Sequence, residues 1–180
     1  MARPGAITPQ EALDRVGETL GPWIEEPKLN FGAVDLVCKP ENLVRVMRTL
    51  RDSEHLGCVF FTFLSGVDRS ELGEGGGGLE VLIHVYSPEH AVHVTVHVPV
   101  DPAAPECPSI SGIYKGALWH ERETHEMFGI LFPDHPHLTT LYLPEDFEGH
   151  PMLRSFKLPT RVVKAWPGAK DPEEAAAGGR

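Results

Sequence analysis

Along the first half of the chain the apolar positions fall into two clear periods. Between Pro9 and Leu20, the residues Leu13, Val16 and Leu20 lie three and four apart, which is the spacing of one helix face. Thr8-Pro9-Gln10-Glu11 has the form of a capping box with proline at the first helical position, and Gly21-Pro22 ends the run, so a helix is predicted over residues 9–20. Residues 33–38 read as a short strand. Pro40 then opens a second helix with Leu43, Val44, Met47 and Leu50 turned inward and Arg45, Arg48 and Arg51 on the outer face. Residues 58–64 are aromatic with little alternation, which predicts a strand buried on both faces in the middle of a sheet.

The period changes to two at residues 79–86 and 91–98, predicting an antiparallel hairpin around residues 87–90. Its core face carries Leu79, Val81, Ile83 and Val85 with Val92, Val94, Val96 and Val98. The other face sets Leu82, His84 and Tyr86 against His93, Thr95 and His97, with His84 directly opposite His93 for an even register. Two cross-strand histidines without a third ligand read as a half-exposed polar face rather than a metal site. The glycine-rich stretch before the hairpin, with four consecutive glycines from Gly75 to Gly78, lacks a following Lys-Ser/Thr and a helix, and reads as a surface loop.

A helical stripe of a different kind occupies residues 110–128. Ile110, Ile113, Tyr114 and Ala117 continue through Glu121, Thr124 and Phe128, which places a carboxylate on the buried side. Lys115, Trp119, Arg122 and Glu126 share the opposite edge, where Arg122 and Glu126 have the i, i+4 spacing of an exposed pair. Gly129 and Pro133 supply a stop. With an aromatic among the charges, this helix is expected to be sandwiched between its own domain and something else. Beyond it, prolines recur too often for helices or a central strand, so residues 133–167 are expected to run extended. Leu138, Leu141, Leu143, Phe147, Met152, Leu153, Phe156, Leu158, Val162, Val163 and Trp166 nevertheless make this arm too apolar to be free, and it must lie on the domain or on a partner. Residues 168–180 have the composition of a loose tail.

Composition narrows the function. A formal net charge of -10 over 180 residues repels phosphate backbones and anionic headgroups, so nucleic acid is excluded as a partner. No run approaches the ~18 apolar residues of a membrane span and the first residues lack a signal-peptide core, which predicts a soluble or peripheral chain. Cys38, Cys58 and Cys107 are isolated and no C-x-x-C occurs, so an iron–sulfur cluster or structural zinc within this chain is not expected. Histidines 120, 125, 135, 137 and 150 cluster around Glu121, Glu123 and Glu126, yet H-E-x-x-H fails because Gly129 stands where the second histidine belongs. With no P-loop, nucleophile elbow or dinucleotide fingerprint either, the residues favour an interaction module over a free-standing His/Glu metalloenzyme.

The run Trp119-His120-Glu121-Arg122-Glu123-Thr124-His125-Glu126-Met127-Phe128-Gly129-Ile130, followed by His135-Pro136 and Phe147-Glu148-Gly149-His150-Pro151, resembles the C-subunit family of the proton-pumping NADH:quinone oxidoreductase, respiratory complex I. The resemblance extends from about Leu36 through Arg161-Val162-Val163-Lys164. It implies a two-layer α+β fold, a mixed or antiparallel sheet of four to five strands with helices on one face and a long extended C-terminal segment. It divides the chain into a domain over residues 1–132, a partner-packing arm over 133–167 and the tail. It further implies a non-catalytic peripheral subunit on the cytoplasmic side of the cell membrane, scaffolding the quinone-reducing module beside the D, B and I subunits. NADH, FMN, iron–sulfur clusters and quinone then belong to the assembled complex and none to this chain, and membrane contact is made only through the complex. The residues carried over as an interface and structural motif are Trp119, Glu121, Arg122, Glu123, His125, Glu126, Phe128, Gly129, His135, Pro136, Glu148, Gly149, His150, Pro151 and Arg154. Catalytic, cofactor-binding and metal-ligating residues are expected to be none. Glu126 stands where the family's usual acid is aspartate, and Thr139, Thr140 and Leu153 stand at commonly basic positions. The corresponding subunit of a membrane-bound nickel–iron hydrogenase or formate hydrogenlyase is the alternative of similar appearance.

Overall fold

The computed structural model describes residues 5–25, 27–71 and 77–158; the expectations for the rest of the glycine loop, for the arm beyond 158 and for the tail lie outside the described residues. Helix α1 (Pro9–Leu20) starts as its capping box requires, with the Thr8 hydroxyl accepting the Glu11 amide at 3.2 Å, and buries Ala12, Val16 and Leu20. Strands β1 (Lys28–Asn30) and β2 (Ala33–Val37) form a hairpin turned by Phe31 and Gly32, both at positive φ. Strand β1 escaped the pattern reading because it is exposed throughout and has no apolar face to alternate. A 3₁₀ turn at Pro40–Asn42 leads into α2 (Leu43–Asp52), which buries Leu43, Val46, Met47 and Leu50. Val46, not Val44, completes the inner face, since it lies three residues after Leu43 and four before Leu50.

Strands β3 (Phe60–Asp68), β4 (Leu79–Ser87) and β5 (Val92–Val100) complete a five-stranded mixed sheet in the order β1-β2-β5-β4-β3, with β2 parallel to β5 and the other pairs antiparallel. The predicted valine face is correct: Val81, Ile83, Val85, Val94, Val96 and Val98 are fully buried. They join residues of the three helices in a single core, so the helices cover one face of the sheet. The register is shifted by two from that expected. His84 opposes Thr95 and His93 opposes Tyr86, and the two imidazoles meet diagonally, Nδ1 of His93 lying 3.3 Å from Nε2 of His84. A shift by two keeps every side chain on its face, which is why the core survives the misplaced pairing. Pro99 falls inside β5, beyond the residues that pair with β2, where its missing N–H costs no ladder bond.

Two expectations about the region of β3 need correction. The aromatic strand is an edge strand, not a central one. Phe61 lies against Tyr114 of the turns before the central helix and His120 of that helix at 5.7 and 5.3 Å, Phe63 stacks on His84 of β4 at 5.7 Å, and Phe60 is exposed. The central helix is also shorter than its stripe suggests, since α3 spans only Ala117–Phe128. Residues 110–116 are turns, with the amides of Ile113 and Tyr114 donating to the Ile110 carbonyl. Ile110 and Tyr114 are buried all the same, so an apolar spacing read as helical is produced here by turns. Arg51 ties α2 to this segment by donating to the Ile113 carbonyl at 2.9 Å.

Candidate functional site

Helix α3 lies on β3 and is held there by close approach. A Cβ at Gly66 would stand 2.5 Å from the Phe128 ring, so only glycine lets the ring settle on the strand. The His120 ring caps the open edge of β3, with Nδ1 3.0 Å from the Leu64 carbonyl. At the other end of α3, Gly129 adopts φ 75 as the C-cap and donates to the His125 carbonyl, while the His125 ring reaches the Ile130 carbonyl at 3.0 Å. These bonds fix the rotation of α3 and thereby the aim of its carboxylates.

Glu121 is fully buried, as its place on the stripe predicts. Its Oε2 accepts the Ser109 hydroxyl at 2.6 Å and its Oε1 the Ile110 amide at 2.8 Å, so the carboxylate braces the turn that precedes the helix. The nearest basic group, the buried His135 ring, has Nε2 4.0 Å away, and that nitrogen donates to the Leu118 carbonyl while Nδ1 accepts the His137 amide. Glu121 is therefore held by hydrogen bonds, with no Lys or Arg paired to it among the described residues. Burial pushes its pKa up, and the donors from Ser109, Ile110 and Ser111 offset this only in part.

Glu126 was expected on the outward edge of the helix as the exposed i, i+4 partner of Arg122, and the structure corrects this: it is 6% exposed. The arm covers it. The amides of Leu141, Tyr142 and Leu143 converge on its carboxylate at 3.1, 2.9 and 2.6 Å. Burial alone would raise this pKa, but the three amides, helped by the Arg122 charge, hold it below the usual carboxylate range. Arg122 donates to the carbonyls of Thr139 and Thr140 at 2.9 and 2.7 Å rather than to Glu126, and stacks over Trp119 with 5.1 Å to the ring centroid. Acid and base of one helix thus take opposite polarities of the same five-residue segment, 139–143.

The rest of the arm is fastened in the same way, backbone to helix. Nδ1 of His150 lies 2.9 Å from the Glu126 carbonyl, Met152 donates to the Met127 carbonyl, and the His150 ring packs so closely on Gly129 that a Cβ there would lie 2.7 Å from it. Gly149 sits at φ 92 before Pro151. Arg154 ends the track, donating its amide to the Asp68 carboxylate and its Nε to the Asp68 carbonyl. Leu138 and Leu153 pack on the core, whereas Trp119, Tyr142, Phe147, Met152 and Leu158 remain exposed. Of the motif residues, Glu123, Pro136, Glu148, Gly149 and Pro151 enter none of these contacts among the described residues. Sequence reasoning missed Ser109, Asp68 and the backbone of 139–143. A segment that binds through amides and carbonyls leaves no side-chain signature, and Thr139 and Thr140 keep the Arg122 contact although they lack basic side chains.

Among the described residues no three His, Cys, Asp or Glu side chains converge as a metal site. Burial raises the thiol pKa of Cys38 and Cys58 to about 12 and that of Cys107 further, so these thiols stay protonated and unreactive. No helix of the described residues is long and apolar enough to cross a membrane.

The sequence pattern of the family described as respiratory-chain NADH dehydrogenase, 30 kDa subunit, matches residues 36–162, a span that runs from the end of β2 through α3 and takes in the clasped arm. The C subunit of the NADH-quinone oxidoreductase of Methylobacterium sp. (strain 4-46) is 36% identical over 149 residues, covering 83% of this chain and 67% of the relative. The C subunit of Roseiflexus sp. (strain RS-1) is 40% identical over 132 residues, covering 73% and 74%, and that of Salinispora tropica is 33% identical over 148 residues, covering 82% and 60%. The chain thus spans 60% to 74% of the length of these relatives. Two solved structures share the fold. The trypsin-resistant fragment (1-134) of Nqo5 superposes with a TM-score of 0.62 at 24% identity, over 71% of this chain and 99% of the fragment. A chain of an archaeal respiratory membrane complex, the membrane-bound sulfane sulfur reductase, gives 0.59 at 20% identity, over 76% and 77%. The matched span begins where the sequence resemblance does, ends within two residues of it and takes in both carboxylate seats of α3, and on that ground the chain belongs to the family of the 30 kDa subunit of respiratory-chain NADH dehydrogenase.

Proposed function

We propose that this chain is the peripheral C subunit of an NADH:quinone oxidoreductase, an enzyme that couples NADH oxidation by quinone to proton translocation, and that it serves there as a scaffold of the quinone-reducing module without catalysing a step itself. The observation that carries the reading is the clasped arm, which satisfies its own backbone against α3 while leaving Trp119, Tyr142, Phe147, Met152 and Leu158 exposed. Large aromatic and sulfur side chains held outward on an ordered track are the composition of an assembly surface, and the partners that fit it are the D subunit of the quinone site and its B and I neighbours. NADH, FMN, iron–sulfur clusters and quinone reside in those and other subunits. The chain reaches the cytoplasmic side of the membrane through them.

Sequence identity to the C-subunit relatives supports NADH as the electron donor, whereas the fold is shared with a sulfane sulfur reductase and does not choose between assemblies. The test is to recover the tagged chain from gently solubilised membranes. Coelution with a flavoprotein NADH module and with NADH:quinone activity is the expected result. Elution alone, or with a nickel–iron hydrogenase large subunit, overturns the reading.

A further inference from the structure

We propose that Glu126 is a positioning residue whose negative charge closes the arm onto α3 before the protein meets any partner. The inference draws on the functional reading above only for the purpose of the closed arm; closure itself is a property of the free chain. Three consecutive amides, those of Leu141, Tyr142 and Leu143, converge on one carboxylate within 3.1 Å, an arrangement that suits an anion better than any neutral acceptor. A carboxylate offers about four lone-pair sites and charge-assisted bonds roughly twice as strong as neutral ones, so it outcompetes water for amides that an open arm would leave solvated.

Arg122 holds the carbonyls immediately before, so segment 139–143 is gripped at both of its polarities. The same guanidinium stacks over Trp119, and the Thr140 carbonyl it binds lies two residues before exposed Tyr142. Closing the clasp therefore fixes two exposed aromatic side chains, one on the helix and one on the arm, relative to each other. A partner then docks on a surface already ordered, and the ordering cost is not charged to assembly.

Amide exchange on the isolated full-length chain tests this, with Glu126→Gln and Glu126→Asp as the variants. In the native chain the amides of residues 141–143 are expected to be protected. Glu126→Gln, which keeps the shape and loses the charge, is expected to speed their exchange roughly tenfold or more while the β4–β5 amides and the melting temperature stay unchanged. Glu126→Asp, which keeps the charge, is expected to restore most of the protection. Because the native carboxylate lies below its ordinary range, protection is present above that range and is lost as pH falls through the depressed folded value; the Gln variant shows no such step. Unprotected amides in the native chain overturn the inference, as does equal exchange in the native and Gln chains, or equal loss in the Gln and Asp chains. Copurification with another enzyme overturns the functional reading and leaves the clasp standing, whereas free exchange at 141–143 in a chain that still enters an NADH:quinone oxidoreductase overturns the clasp alone.

Discussion

Glu121 and Glu126 are carboxylates on one helix, both nearly withdrawn from solvent, and their environments push them in opposite directions. The seat of Glu121 is built from the domain. It offers one hydroxyl and backbone amides inside an apolar core, and burial wins. The seat of Glu126 is built from the arm, where three amides converge and hydrogen bonding wins. Burial of a charge therefore says little until its donors are counted. The domain side of α3 tolerates its carboxylate, whereas the arm side is organised by its own.

The largest expected break in this comparison is Glu121→Ala. It strands the Ser109 hydroxyl and the Ile110 amide and empties a packed site, which should cost about 3 kcal/mol in urea unfolding of the isolated chain. Glu121→Gln tells charge from shape. With the folded pKa raised above its ordinary 4.5, the stabilising form is the protonated one; its contribution is complete below the unfolded value and is lost as pH rises through the folded value. The Gln variant should therefore lack this decline and be at least as stable as the native chain at neutral pH. A Gln chain that loses stability across the same pH window as the native one would mean that another group titrates there.

A smaller break separates helix from strand while sparing both carboxylates. Gly66→Ala drives a methyl group to 2.5 Å from the Phe128 ring, and the resulting overpacking should lower stability by about 1–3 kcal/mol, read as a shift of the thermal midpoint. An unchanged midpoint would show that α3 rides loosely on β3. The smallest effect on the domain is expected from Arg122→Ala. Its bonds go to an exposed part of the arm, so global stability should change by less than about 0.5 kcal/mol. Its yield in the assembled complex should nevertheless fall, because Trp119 loses the group that stacks over it. Unfolding of the free chain by Arg122→Ala would place the arginine on the domain side of the comparison.

Much of this was legible in the residues. The Thr8 cap, the valine face of the hairpin and the buried position of Glu121 follow from spacing alone, because each depends on neighbours within a turn or on a strict period of two. A stripe, however, reports which residues share a side and not which backbone carries them, and Ile110, Ile113 and Tyr114 kept helical spacing on turns. Aromatic richness likewise marks a strand that must be covered without saying by what. Strand β3 has β4 on one side only, and α3 covers its face at the sheet edge.

By itself the sequence determined the helical and alternating segments, the core residues and the motif that places the chain in its family, since these are properties of side chains read in order. Only the tertiary structure decided that Glu126 is enclosed and that Arg122 turns from it to the carbonyls of Thr139 and Thr140. The partners of both residues lie 15 to 18 positions further along the chain and bind through peptide groups, which every residue but proline carries in full. No side-chain pattern can specify which of them will arrive at a given carboxylate; the path of the folded arm does.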